Sequence, residues 1–132
     1  GVPVAALCAP IIPMINDAEL ERLLEAAREA GARSAGYVLL RLPLEIAELF
    51  EEWLQAHFPQ RAEHVMSLVR QCRGGQNYDG RFGTRMRGEG PFAELLARRF
   101  QLACRRLGLD RRELGGLDCS RFSPPGAQLA LW

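Results

Sequence analysis

Arg73, Arg81, Arg85 and Arg87 lie in one stretch, RGGQNYDGRFGTRMRGEG at positions 73–90, among glycines and with Tyr78 and Phe82 between them. Arginine keeps its charge in any environment and forks two hydrogen bonds onto one phosphate. Glycine lets a backbone approach phosphate closely, and aromatic rings stack on bases. The combination suits a nucleic-acid partner, with Arg73, Tyr78, Arg81, Arg85 and Arg87 as candidate contacts. The spacing matches no defined phosphate loop. The competing account is a long surface loop that packs its rings on the domain and solvates its charges. Arg41 poses a separate question, because it stands in the apolar run GYVLLRL at 36–42. A guanidinium there must find an anion or a ring of acceptors, since burial without partners is costly. A ligand carboxylate or phosphate meets that need, and so does Glu45, which is the favoured partner.

Charge is distributed unevenly. All 17 basic residues are arginine; residues 1–58 sum to −5 and residues 59–112 to +7. The basic segment points to an anionic partner, or to arginines that pair with the acidic half. Cys8, Cys72, Cys104 and Cys119 form no CxxC or CxxxCxxC spacing, so they suggest neither zinc nor an iron–sulfur cluster held by this chain. His57 and His64 are read as surface or helix-end residues, without a partner set for metal or nucleophile chemistry.

The elements that position these residues follow from hydropathy. Residues 2–9 are a continuous apolar run closed by Pro10, the pattern of a parallel strand covered on both faces. Asp17 is the expected helix cap, Asn16 a helix-entry residue, and Leu20, Leu23, Leu24 and Ala27 share one helical face before Gly31. Residues 36–42 repeat the strand pattern up to Pro43, and Ile46, Leu49, Phe50, Trp53 and Leu54 form the stripe of a second helix. Strand, helix, strand, helix is a βαβα signature with parallel strands. Ala62, Val65, Met66 and Val69 predict a third helix. Pro91 opens a fourth, with Phe92, Leu95, Leu96, Phe100, Ala103 and Leu107 on its apolar side and Gly108 at its end. The fold class is therefore α/β: two βα units in 1–58, a helical Arg/Gly-rich extension in 59–122 and a flexible tail in 123–132. Two parallel strands cannot shield both their faces and edges, and the chain starts at Gly1, so it is expected to be the C-terminal part of something larger.

The blocks GVPVAALCAPIIPMIND, AGARSAGYVLLRLPLEIAELFEEWL, YDGRFGTRMRGEGPFAELLARRFQLACRRLGL and the closing QLALW, in that order, resemble the last third of the spore photoproduct lyase-like radical S-adenosylmethionine (SAM) proteins. The resemblance implies that the two strands are the last two of a partial (β/α) barrel. It also implies a CxxxCxxC loop upstream holding a 4Fe–4S cluster, with SAM on the cluster's unique iron as the source of a 5′-deoxyadenosyl radical. The parent would be a bacterial, cytoplasmic, lyase-like DNA-repair enzyme, and this chain, lacking the cluster cysteines, would be inactive alone. Barrel sites gather at the C-terminal ends of strands. By resemblance, Ala9, Pro10, Ile11 and Ile12 would line SAM there, and a SAM carboxylate becomes one candidate anion for Arg41.

Gln128, Leu129, Leu131 and Trp132 resemble the QLxLF-type peptide by which bacterial DNA-processing proteins dock on the sliding clamp, with Trp132 in place of the usual Phe. Expected partners are thus SAM, DNA and the clamp, or a second copy through open strand edges. No membrane is expected, because no apolar run approaches the ~20 residues a span requires. The alternative function is a non-catalytic module that binds DNA or the clamp.

Overall fold

A computed structural model describes residues 2–110 and Ser120. It is a mixed α/β arrangement of a two-stranded parallel sheet and four α-helices. Strand β1 is Ala5–Ile11 and β2 is Ser34–Leu39, joined by a 3₁₀ turn at Asp17–Glu19 and helix α1, Leu20–Glu29. Helices α2 (Ile46–His57), α3 (Ala62–Gln71) and α4 (Gly90–Leu107) follow. No helix among the described residues is long and apolar enough to cross a membrane.

The strands pair from Ala5 opposite Ser34 to Cys8 opposite Tyr37, then shift register so that Ile11 meets Leu39. Pro10, expected to close the first strand, instead lies within it. An edge strand tolerates proline, and the register shift leaves Pro10 out of the regular ladder. The second strand ends earlier than expected. The Leu40 amide still donates to the Ile11 carbonyl, at 2.9 Å, but from there the chain turns so that Leu40 and Leu42 enter a different core.

Helix α1 buries Leu20 and Leu24, while Leu23, expected beside them, is exposed. Gly31, at φ 95°, takes the left-handed conformation that ends the helix. Asp17 does not cap α1. Its carboxylate accepts from the Met14 amide behind it, at 2.7 Å, because a 3₁₀ turn intervenes before the α-helix. Asn16 is the entry residue to that turn. Helix α4 begins with proline in its first turn and ends at Gly108, at φ 65°. It buries Ala93, Leu96, Phe100, Ala103 and Cys104, but leaves Leu95 exposed.

Two cores result. The first packs α1 and α4 against one face of the sheet, with Tyr37, Leu39, Leu24 and Phe100 at its centre. The second joins Leu40, Leu42, Ala47 and Leu54 to all four expected α3 residues, Ala62, Val65, Met66 and Val69. Arg99 clamps α4 to α1 with a two-pronged ion pair to Glu21, at 2.8 and 2.7 Å, and its hydrogen bonds hold the Glu21 carboxyl below the usual range. Arg106 pairs with Glu25 and Arg70 with Glu51. Part of the basic segment is thus spent on the acidic half.

The opposite face of the sheet is only partly covered among the described residues, least on β1. Side chains alternate along a strand. Ala6 and Cys8 face the first core, whereas Ala5, Leu7 and Ala9 are exposed, Leu7 by 67%. Gly36 lies opposite Leu7 on β2, so close that an added Cβ would be 3.3 Å from the leucine Cδ1. Helix α2 shows a similar bareness: Ile46, Leu49 and Trp53 of its expected stripe are exposed, beside Leu44.

Candidate site at the C-terminal end of the sheet

Arg73 follows α3 directly and is 2% exposed. One terminal nitrogen donates to the carbonyls of Thr84 and Arg85, at 3.1 and 2.9 Å. The other donates to Leu39 and Leu40, at 3.1 and 2.8 Å. This guanidinium therefore takes the place of a strand neighbour at the end of β2 and binds the arginine–glycine loop to it. Burial lowers its pKa from the ordinary arginine value. Expected among the phosphate contacts, Arg73 is a buried clasp. The sequence cue is the same in both roles, because any buried arginine needs a ring of acceptors.

The loop is folded closely around that clasp. The Leu39 amide donates to the Met86 carbonyl, at 2.9 Å, and the Glu89 amide to Cys72, at 3.1 Å. Gly88 sits at φ 74°, where a Cβ would lie 2.8 Å from Leu39 Cδ2 and 3.0 Å from the Cys72 carbonyl oxygen. Only glycine permits so close an approach in that conformation.

Arg41 lies beside the clasp and is half-buried. It makes no ion pair with Glu45, the partner favoured from sequence. Its terminal nitrogens donate instead to the Tyr78 hydroxyl, at 2.9 Å, and to the Met86 sulfur, at 3.7 Å, and its Cζ is 5.6 Å from the Tyr78 ring centroid. The strand end carries the arginine toward the loop, while Glu45 turns away with the start of α2. The Arg41 Nε is buried without a hydrogen-bond partner. A thioether and one phenol leave much of a five-donor group unsatisfied, so Arg41 retains the capacity to hold a carboxylate or phosphate.

Of the four residues expected after the first strand, Ala9 and Pro10 are exposed along a groove of about 330 Å³ that runs beside β1 to Asn16 and Leu23. Ile11 is core and Ile12 packs on the second core. Asn16 ties this turn together, accepting from the Ile12 amide at 2.7 Å and donating to the Pro10 carbonyl at 3.0 Å.

The remaining loop residues divide into paired and unpaired cations. Arg81 donates to Asp79 and to Glu89, at 2.8 and 3.0 Å. These bonds hold the Asp79 carboxyl well below the usual carboxylate range and raise the Arg81 guanidinium. Arg85 instead lies over the Phe82 ring, Cζ 4.3 Å from the centroid. Arg87 lies over Tyr37, at 5.4 Å, and edges a depression of about 380 Å³ with Ser34, Gln101, Arg105 and Asp110. Phe82 itself is 90% exposed. Sequence reasoning placed it between the arginines without making it a contact, and its position in a glycine-flanked turn was the signal available.

No group of three His, Cys, Asp or Glu side chains among the described residues is placed to hold a metal ion. Cys8, Cys72 and Cys104 are free thiols, and burial pushes Cys104 up to about 11. His57 packs on Trp53, ring centroids 5.3 Å apart, and His64 is exposed. The expected clamp contacts Gln128, Leu129, Leu131 and Trp132 lie outside the described residues. No family model matches the chain, and no curated protein or solved structure matches it either.

Proposed function

We propose that the chain is the C-terminal part of a radical SAM enzyme resembling the spore photoproduct lyase-like proteins, supplying the last two βα units of a partial (β/α) barrel. The observation that carries this reading is the one-sided sheet. Helices α1 and α4 cover one face, while Ala5, Leu7 and Ala9 of β1 on the other are exposed and the outer edge of β1 has no strand partner among the described residues. In a (β/α) barrel the helices form an outer ring and the other face of each strand points into the filled interior. Leaving one leucine in water forfeits about 1.5–3 kcal/mol, and an unpaired strand edge invites a further strand. Both are answered by further βα units from the same polypeptide.

The two groups that the resemblance implies fare differently. The described residues offer no donor set for the 4Fe–4S cluster, and the sequence has no CxxxCxxC, so in this reading upstream residues would hold the cluster. For SAM the chain offers Arg41 at the end of β2, whose terminal nitrogens reach only a phenol and a thioether, and Ala9 and Pro10 along the open groove beside β1. Bound SAM would supply the 5′-deoxyadenosyl group for radical chemistry. In this reading Arg41 orients the SAM carboxylate, Tyr78 fixes the rotamer of Arg41, and Arg73 fixes the strand end beneath it. The arginine–glycine loop faces a nucleic-acid substrate with Arg85 and Arg87, which have no carboxylate partner among the described residues.

The reading frame of the gene tests this reading directly. The codons upstream of Gly1 are expected to continue in frame into a CxxxCxxC segment. The polypeptide so encoded, purified without oxygen, should contain iron and cleave SAM to 5′-deoxyadenosine. A closed frame upstream, or an open one without that cysteine segment, overturns the assignment.

A further inference from the structure

Phe82 is the most exposed aromatic ring among the described residues, at 90%, and it is held where it is. The turn beneath it is fastened from several sides. Asp79 accepts from the Arg81 amide and side chain and from the Thr84 hydroxyl, at 2.8–3.1 Å. The Arg85 amide closes a helical turn onto the Arg81 carbonyl, at 3.1 Å, and the Gly88 amide reaches Thr84 at 2.7 Å. Arg73 holds the Thr84 and Arg85 carbonyls from below. A ring on so braced a turn has little freedom to fold back onto either core.

Its surroundings specify what it fits. Arg85 lies on the ring at 4.3 Å and has no ion-pair partner among the described residues, whereas Arg81, which precedes Phe82, is committed to Asp79 and Glu89. Arg85 covers one face and Phe82 is 90% exposed, so the other face of the ring stays open. The flanking residues Arg81, Gly83, Thr84 and Arg85 offer no apolar continuation for a protein groove. An open π-face beside an uncommitted guanidinium matches a nucleobase with its own phosphate, since every base has a stackable face and every nucleotide a charge. Bases within a duplex have both faces occupied by stacking, so the base must be unpaired.

We infer that Phe82 and Arg85 form a stacking platform for one unpaired base of a single-stranded nucleic acid, with Arg85 also neutralising the adjacent phosphate. This inference rests on the nucleic-acid reading proposed above and assigns its contact. The test is equilibrium binding of the protein to a fluorescent 12-nucleotide oligothymidine carrying one 2-aminopurine, with the matching duplex as competitor. Phe82→Ala is expected to weaken single-strand binding about 5- to 150-fold, the loss typical of one stacked base, while Phe82→Trp retains it. Arg85→Gln should lower the slope of log affinity against log salt by about 0.7, one phosphate's worth for a single strand. Phe82→Ala should keep the wild-type melting temperature, because the ring touches neither core. Equal affinity of wild type and Phe82→Ala, or tighter binding of the duplex than of the single strand, overturns the platform. Absence of any nucleic-acid binding by the wild type overturns the nucleic-acid reading beneath it.

Discussion

Arg73 donates to four main-chain carbonyls from a site with 2% exposure. Two belong to the end of β2 and two to the loop, so one side chain joins segments more than thirty residues apart in sequence. Replacing it by methionine keeps much of the volume and removes every donor. Breaking a buried charged network of this kind costs about 3–5 kcal/mol, and urea denaturation of Arg73→Met is expected to show a loss of that size. Arg98→Gln, at an exposed position on α4, should stay within about 0.5 kcal/mol of wild type. If the two variants were equally stable, Arg73 would not be the clasp described. Arg41 follows the same chemistry with fewer acceptors: its terminal nitrogens reach one phenol and one thioether, where those of Arg73 reach four carbonyls.

At the scale of elements, the loop at 73–90 is fastened to the end of β2 through Arg73 and Gly88 while residues 80–83 stay exposed, and Gly88 is its tightest point. Gly88→Ala adds a methyl 2.8 Å from Leu39 Cδ2 at φ 74°. The left-handed backbone and the overpacking together cost about 2–4 kcal/mol. Gly75→Ala, at φ 88° with open space around it, should cost only the backbone part, about 1–2 kcal/mol. Thermal melting of the two variants checks the difference; equal shifts would mean that the loop does not pack on β2. Much of the element pattern was legible in the sequence. Pro91 and Gly108 mark the ends of α4 because their constraints are local, and all four apolar residues picked for α3 are buried. The strand limits and the α2 stripe were less legible for physical reasons. Periodicity shows that Ile46, Leu49 and Trp53 share a face, but not whether this chain supplies the surface that meets it. Likewise, residue type shows that Arg73 and Arg41 need acceptors, but only the fold decides which carbonyls or rings provide them.

For the whole molecule, the asymmetry of the sheet is the governing feature. One face carries α1, α4 and the first core, and the other presents Ala5, Leu7 and Ala9 to solvent, while α2 packs Ala47 and Leu54 in the second core and exposes Ile46, Leu49 and Trp53. The candidate site lies at the C-terminal end of β2, where Arg41 and the arginine–glycine loop come together. Its residues were visible in the sequence as types, but their sorting into clasp, ligand donor and exposed platform depends on contacts between segments far apart along the chain. Hydrogen–deuterium exchange across residues 5–11 tests the proposed barrel most directly, by comparing this 132-residue chain with the longer polypeptide read from its upstream frame. The account predicts that the β1 amides facing away from β2 exchange quickly in the shorter chain and become protected in the longer one, as a neighbouring strand pairs with the free edge of β1. Equal exchange in the two proteins would contradict it.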